Sequence, residues 1–232
     1  MTPGAPGGLL QSVPGLEVQE IESGLWRWTA PHPDWLANSG STGGWLRDVG
    51  SVYCELPGAL LLIDPIVPED AGDAARLWRA LDRDVERLGR PVCVVVTVHW
   101  HRRGADAMVA RYGAHDGVVP DGARAIAFGD PIGETAYVLP QFRALVVGDI
   151  VIGGDAIEGE HADGVRVCPP GWYGSTAAER AWYGGPGLPG ALRRLAREPV
   201  DRILTTHGSP LLAGGAAALQ ALADSASGRR AA

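Results

Sequence analysis

VCVVVTVHWH, residues 92–101, is an apolar and mostly β-branched run that ends directly in two histidines. Such an uninterrupted run predicts a strand that is buried on both faces, as in a sheet covered by helices. Polar residues at the carboxyl end of a strand of this kind lie at the sheet edge where α/β proteins build their sites. The run therefore predicts a covered sheet and a site that includes His99 and His101.

Other apolar runs end in the same manner. Residues 59–63, 144–148 and 202–206 lead directly into Asp64, Asp149 and His207. Because the carboxyl ends of core strands meet at one edge of a sheet, we expect these residues to converge with the histidine pair.

The pattern around these strands predicts further elements. Helices are expected after Pro68 as far as Gly89, and at about 102–112, 188–197 and 215–223. Short strands are expected at 123–128, 135–139 and 144–147. A Gly-rich loop is expected at 153–175. Pro57-Gly58 between two strand-like runs predicts a hairpin. This order is typical of α/β or α+β proteins. Residues 1–16, rich in Gly and Pro, are expected to be flexible, and residues 17–232 to form one domain.

The composition narrows the possible functions. The 232 residues include 27 acidic and 20 basic side chains, for a net charge of −7, and every basic residue is arginine. Without lysine the chain has neither a Schiff-base lysine nor a P-loop lysine. The acidic balance disfavours nucleic acid and anionic membranes as partners, so a small molecule is the expected partner.

The expected compartment is the cytoplasm. The three cysteines, Cys54, Cys93 and Cys168, form no CxxC motif, and a disulfide framework is not expected. The first residues lack the basic and apolar regions of a secretory signal, and no apolar stretch approaches the length of a membrane span.

The histidine pair suggests a metal site. In an extended or tight-loop backbone, residues two apart point to the same side, so His99 and His101 could reach one ion, with Asp149 as a third ligand. The alternatives are a surface histidine pair, a Gly-Asp turn at Asp149 and a His-Gly turn at His207. The remaining histidines, His32, His115 and His161, lie in loop-like sequence and are expected to be solvated.

Four stretches together resemble the metallo-β-lactamase superfamily: ALLLIDP, VVVTVHWHRRGAD, FGDPIGETAYVLPQFRALVVGD and RILTTHG. The resemblance covers about residues 20–215. It implies an α+β fold, the αββα sandwich, in which two mixed β-sheets pack face to face with helices on the outer faces. It also implies a zinc or iron site at one edge and hydrolysis of esters, thioesters, lactams or phosphodiesters.

The motif of this superfamily is incomplete here. Its H-x-H-x-D-H pattern falls on residues 99–104, where His99 and His101 are kept but Arg103 replaces the aspartate and Gly104 the last histidine. Elsewhere in the pattern, Asp130 stands where a histidine is expected, and Asp149 matches the aspartate that bridges the two metals. His207 matches the C-terminal histidine, and Asp64 matches a supporting aspartate.

The resemblance therefore implies at most one ion, zinc or iron, held by His99, His101, Asp130 and Asp149. A second ion would keep only Asp149 and His207, beside the permanent charge of Arg103. A metal-free site in which Arg103 pairs with Asp149 or Asp130 remains an alternative.

Two functions follow from this resemblance. In the first, the protein is a hydrolase with a degenerate site that activates water against an ester-like or phosphoryl substrate. Asp149 holds the metal, His207 donates to the leaving group or the oxyanion, and Arg103 binds a substrate carboxylate or phosphate. In the second, the protein is metal-free and inactive, and it binds a small ligand or a partner in the former active-site cleft.

Overall fold

The first half of the chain forms a six-stranded mixed sheet. The computed structural model describes residues 15–35 and 44–228. The strands are β1 (Glu17–Glu22), β2 (Leu25–Pro31), β3 (Asp48–Glu55), β4 (Leu60–Ile63), β5 (Val92–Val95) and β6 (His115–Asp116), in that order across the sheet. Strands β1 to β4 are antiparallel neighbours, and β3 and β4 form the hairpin predicted at Pro57-Gly58. Strands β4, β5 and β6 are parallel.

The second half forms a smaller sheet and a separate hairpin. Its strands are β7 (Arg124–Ala127), β8 (Thr135–Leu139), β9 (Ala144–Val147), β10 (Val151–Gly153), β11 (Val165–Val167) and β12 (Arg202–Thr205). The order β12-β9-β8-β7 makes a four-stranded sheet in which β9 and β12 are parallel, while β10 and β11 pair with each other.

Helices cover the outer face of each sheet. They are α1 (Ala71–Leu88), α2 (Ala105–Tyr112), α3 (Ala177–Gly184), α4 (Gly187–Ala196) and α5 (Gly215–Gly228). Leu77 of α1 and Met108 of α2 share an apolar cluster with the first sheet, whereas Leu192 of α4 and Leu219 of α5 share one with the second. None of the described helices combines the length and apolarity needed to cross a membrane.

The two sheets pack directly on each other. Leu60 and Leu62 of β4 belong to the helix-facing cluster, whereas Leu61 and Ile63 belong to a third cluster. That cluster also contains Tyr137, Leu139, Val146 and Leu204 of the second sheet. Because side chains alternate along a strand, β4 is buried on both faces and its sequence is continuously apolar. The layers are helix, sheet, sheet and helix, which confirms the predicted α+β sandwich.

Helix α1 begins and ends at residues that stabilise its termini. The Asp70 side chain accepts a hydrogen bond from the backbone N–H of Asp73 at 2.9 Å, as an N-cap does. Gly89, with φ of 58°, adopts the left-handed conformation that ends helices.

Some elements differ from the prediction. The segment 153–175 contains β11, and α3 was not predicted. The helix expected at 102–112 begins only at Ala105, because residues His99–Arg102 form a 3-10 turn. Of the expected flexible segment 1–16, residues 1–14 lie outside the described residues. Leu16 is buried, and its N–H donates to Asp73 Oδ2 at 2.8 Å.

Candidate metal centre

Four chemically active side chains meet where the two sheets adjoin. Asp64 follows β4, His101 lies just beyond β5, Asp149 follows β9 and His207 follows β12. All four are buried, and Asp64 and His101 are each only 1% exposed. The strand-end pattern predicted this convergence.

The 3-10 turn at His99–Arg102 separates the two histidines of the pair. His101 is buried, whereas His99 is exposed. In a helix of about three residues per turn, side chains two residues apart point in different directions. The expectation that the two histidines point to the same side is therefore wrong.

Three ligand atoms surround a common point. Asp149 Oδ1 lies 3.1 Å from His101 Nε2 and 3.2 Å from His207 Nε2. These three atoms all lie within 4.8 Å of one another. Asp149 Oδ1 is buried, and within residues 15–35 and 44–228 no donor meets it with hydrogen-bond geometry. These three side chains could hold a metal ion as a two-histidine, one-carboxylate set.

Asp64 holds His101 from behind. Its carboxylate accepts from Thr97 N at 2.7 Å, Thr97 Oγ1 at 2.5 Å and Thr206 Oγ1 at 3.1 Å. Its Oδ2 also lies 3.1 Å from His101 Nδ1. Because an ionised carboxylate only accepts, Nδ1 of His101 carries a proton and donates it to Asp64. Nε2 then faces Asp149.

Asp149 is itself held in place by its neighbours. The indole Nε1 of Trp100 donates to Asp149 Oδ2 at 2.8 Å, which leaves Oδ1 facing the two histidines. The Glu134 carboxylate accepts the backbone N–H groups of Gly148, Asp149 and Ile150 at 3.0–3.2 Å. The site thus has a hydrogen-bonded outer layer, as metal ligands usually do.

Sequence reasoning missed Glu134. It is completely buried and also accepts from the hydroxyl of Tyr173 at 2.6 Å. Burial and the nearby charge of Asp149 raise the pKa of Glu134 to about 7, although the surrounding donors act in the opposite direction. The sequence signal that could have identified Glu134 is its position directly before the apolar strand β8. The other site residues follow their strands.

Charge–charge interactions dominate the centre. Burial alone would lower the pKa of His101, but the carboxylates of Asp149 and Asp64 outweigh it and raise that pKa to about 9. Burial would raise the pKa of Asp149, but the rings of His101 and His207 hold it well below its usual value. Burial lowers the pKa of His207. Without a metal, the centre is an ion pair of His101 with two carboxylates.

The predicted four-ligand set is not brought together. His99 and Asp130 are both exposed, and neither belongs to the buried metal-ligand group found among the described residues. Asp130 lies in the turn after β7, an edge strand of the second sheet. Instead, the geometry joins His101 and Asp149 to His207, to which the sequence had given a catalytic role.

Arg103 lies beside the centre but does not pair with it. The charges of Asp64 and Asp149 act on it, although burial has the larger effect and lowers its pKa. Its Nε and Nη1 atoms are buried, and none of the described residues accepts a hydrogen bond from them. The direct pairing of Arg103 with Asp149 or Asp130 expected for a metal-free site is therefore not formed.

Aromatic rings surround His207. The rings of Trp45 and Trp172 each meet the His207 imidazole edge-on, with centroids 5.0 Å apart. The Nε1 of Trp172 and the Nδ1 of His207 are also buried without a partner among the described residues. Indole rings therefore enclose His207, and two buried nitrogen atoms beside it, one on Trp172 and one on His207 itself, have no partner among the described residues.

Solved structures of metallo-β-lactamases are similar to this chain. One from Erythrobacter litoralis is 16% identical, with 90% of this chain and 96% of that chain covered, and a TM-score of 0.55. DIM-1 is 14% identical, with 93% and 100% covered and a TM-score of 0.54. FIM-1 from Pseudomonas aeruginosa, in its mono-zinc form, is 15% identical, with 92% and 96% covered and a TM-score of 0.51.

The sequence itself matches no protein-family model and no curated protein. The likeness lies in the three-dimensional arrangement, over nine-tenths of the chain or more. The sandwich of two sheets, its outer helices and the strand-end site agree with that arrangement. The chain has the metallo-β-lactamase fold.

Proposed function

We propose that this protein is a hydrolase that depends on one divalent metal ion held by His101, Asp149 and His207. The observation that carries the proposal is the position of Asp149 Oδ1, which faces one nitrogen of each histidine at 3.1 and 3.2 Å without a hydrogen bond. In the metal-free centre the raised pKa of His101 keeps a proton on Nε2; once a metal displaces that proton, Nε2 presents a lone pair to the carboxylate oxygen, which by itself would be repulsive. A cation between these atoms turns that repulsion into attraction.

The donor set fits zinc. Nitrogen and oxygen ligands suit this ion, and catalytic zinc sites have three protein ligands and one open position. A two-histidine, one-carboxylate set also suits iron. When bound, either ion supplies a Lewis acid that lowers the pKa of water. A fold neighbour, FIM-1, has a mono-zinc form.

The chain's own residues prepare the centre for this ion. Asp64 fixes the tautomer of His101, and Trp100 directs the free oxygen of Asp149 toward the histidines. Glu134 holds the backbone on both sides of Asp149. Since such outer partners commonly change metal affinity by about 10- to 100-fold, they belong to the function as much as the ligands do.

Arg103 limits the centre to one ion. Two unit charges about 4 Å apart interact by about 4 kcal/mol at an effective dielectric constant of about 20, and a dication doubles that repulsion. The guanidinium stays protonated under all ordinary conditions. It therefore supplies positive charge where the superfamily's second ion would need a carboxylate ligand.

A second candidate function is metal-free ligand binding. It is favoured by the ion pair itself, because protonated His101 between Asp64 and Asp149 is compensated without any metal. In that case the centre is structural, and the aromatic rings around His207 form the binding surface. The same protein preparation distinguishes the two candidates.

The experiment measures metal content and hydrolysis together. Protein purified after zinc supplementation is expected to hold about one equivalent of zinc by elemental analysis, and His101→Ala to hold almost none. His99→Ala is the matched control, two residues away and exposed, and it should keep its zinc. Hydrolysis of 4-nitrophenyl acetate or 4-nitrophenyl phosphate should stop with a chelator and return with zinc.

Each alternative has its own result. A protein that stays metal-free in excess zinc would contradict the proposal and leave the binding function. Loss of zinc in both His99→Ala and His101→Ala would favour the ligand set predicted from sequence, to which both histidines belong. Hydrolysis that a chelator does not affect would also contradict the metal-dependent reaction.

A further inference from the structure

We propose that Arg103 binds an oxyanion, a carboxylate or phosphate group carried by a small molecule with a flat apolar body. The identification of this molecule as the substrate rests on the proposed function. Its binding to Arg103 is independent of that function. The inference starts from hydrogen-bond donors that the protein leaves unused. Buried donors are nearly always paired in folded proteins, so unused ones at the edge of a site point to a ligand.

Arg103 differs sharply from its neighbour in the sequence. The exposed Arg102 donates to Asp106 at 2.5 Å and to Asp116 at 2.7 and 3.2 Å. Arg103 is only partly exposed, yet its buried Nε and Nη1 atoms have no acceptor in the described parts of the chain. The buried guanidinium group of Arg103 therefore lacks a carboxylate partner, whereas the exposed group of Arg102 has two.

The acids near Arg103 are committed to other partners. Asp64 accepts from Thr97, Thr206 and His101. Asp149 accepts from Trp100 through Oδ2, and its Oδ1 faces the two histidines. They provide a favourable field for the guanidinium but no hydrogen bonds.

Other parts of the chain offer no acidic side chain for Arg103 either. Residues 1–14, 36–43 and 229–232, which the structure does not describe, contain no aspartate or glutamate. No aspartate or glutamate side chain of this chain is thus left for Arg103, and we infer that the oxyanion it pairs with belongs to a bound molecule. The planar fork of an arginine matches the two oxygens of a carboxylate or phosphate, and such pairs are strong where water is excluded.

The aromatic surroundings suggest the rest of the ligand. Trp100 is 44% exposed although its indole N–H is fixed by Asp149, so it presents a rigid apolar surface at the site. Tyr173 lies behind it with ring centroids 6.0 Å apart, and Trp172 lies beside His207. Rigid indole rings provide stacking surfaces for flat groups.

The stability of the protein gives an independent readout. Burying donors without partners destabilises a folded protein, so a residue retained for binding is often one whose removal stabilises the fold. If Arg103 were structural, its replacement by an apolar side chain of similar length would destabilise the fold instead. Arg103→Met distinguishes these two roles.

The test uses benzoate, phenylphosphonate and the neutral isostere benzamide as probes in titration calorimetry on chelator-treated protein. The wild type is expected to bind at least one of the two anions at least tenfold more tightly than benzamide. Arg103→Met should lose that preference and melt at the same or a higher temperature. Arg103→Lys should keep part of the preference, because it retains the charge but not the fork. The control Arg102→Met should bind like the wild type.

Two results would overturn the inference. One is an anion preference that survives in Arg103→Met, and the other is a clear fall in the melting temperature of Arg103→Met. Zinc titration of the same samples separates this inference from the proposed function. An Arg103-dependent preference in a protein that binds no zinc upholds only the anion site, whereas zinc binding without the preference upholds only the metal site.

Discussion

Asp64 combines complete burial with a φ of 49°, in the left-handed region that non-glycine residues rarely occupy. A residue in this region costs on the order of 1–3 kcal/mol and persists only when its surroundings fix it. Here the hydroxyl groups of Thr97 and Thr206 and the ring of His101 fix the carboxylate. The strain therefore serves to place one oxygen behind His101.

Asp64→Asn is expected to weaken both the fold and the metal site. The amide cannot accept from four donors, and breaking a buried charged network costs about 3–5 kcal/mol. Loss of the carboxylate behind a metal-binding histidine should lower zinc affinity by about 10- to 100-fold. Urea unfolding and competitive zinc titration measure the two effects.

A matched control for this change is Asp201→Asn. The Asp201 side chain is 51% exposed and pairs with Arg143 at 2.6 Å, at the opposite end of β12 from His207. It should leave the zinc affinity unchanged. Equal zinc affinity in Asp64→Asn and the wild type would show that Asp64 does not orient His101.

His32 gives a prediction of pH dependence. Burial, together with the charge of Arg103, lowers its pKa from 6.5 to about 4, while Asp34 acts in the opposite direction. In its neutral form the ring accepts from Asp34 N at 3.1 Å. Between pH 6.5 and 4 the unfolded chain binds more protons at this ring than the folded chain does, so its contribution to stability is present above pH 6.5 and lost toward pH 4.

The free energy of unfolding of the wild type should therefore fall more steeply below pH 6.5 than that of His32→Gln. Urea unfolding at pH 7.0 and 5.0 measures the difference, which is reduced by the partial exposure of the ring. Parallel pH profiles for the two proteins would show that His32 titrates as a solvated histidine, which is what its loop sequence alone predicts.

The sequence predicted part of the centre. Asp64, Asp149 and His207 follow apolar strands directly, and that pattern alone indicates a common edge. The sequence predicted His99 beside His101, but the 3-10 turn after β5 leaves His99 exposed while His101 is buried. Glu134 was missed because its partners are backbone N–H groups distant in sequence, which leave no trace in residue types.

Among the secondary-structure elements, the turn between β5 and α2 depends on Gly104. Its N–H donates to Pro65 O at 2.9 Å, which ties the turn to the segment after β4. A Cβ at this position would lie 2.9 Å from Pro65 O and 3.0 Å from Val67 N, both rigid backbone atoms. The superfamily's last histidine of the motif therefore has no room here.

Gly104→Ala is expected to destabilise the fold by about 1–3 kcal/mol, as overpacking does, and to weaken zinc binding by displacing His101. Gly104→His should not create a second metal position, because the backbone must move before the ring can enter. Gly58→Ala, where a Cβ meets nothing within 4 Å, is the control. Two equivalents of zinc in Gly104→His would contradict this account.

Buried strands were the elements that the sequence predicted best. Strands β8 and β9 begin and end where the apolar runs do, since both pack between a helix layer and the other sheet. The hairpin of β10 and β11 was missed because a Gly-rich segment separates its short strands. Helix α3 was missed because it is short, lies in a glycine-rich stretch and buries none of its residues; the capping box of Thr176 and Glu179 was the signal that could have found it.

For the molecule as a whole, the centre lies across the two sheets. Asp64 and His101 belong to the edge of the first sheet, and Asp149 and His207 to that of the second. The cluster around Leu61 and Val146 joins the same sheets farther inside. An ion at the centre would therefore join the two halves of the chain and stabilise them together.

Zinc should accordingly raise the melting temperature of the whole protein in one transition. At free zinc about 100 times the dissociation constant, the linkage amounts to about 2.7 kcal/mol. The shift should persist in His99→Ala and vanish in His101→Ala, because only the latter side chain reaches from the first sheet to Asp149. Scanning calorimetry with and without zinc measures it. If zinc shifted one of two separate transitions and left the other in place, the two halves would unfold independently and the ion would not join them.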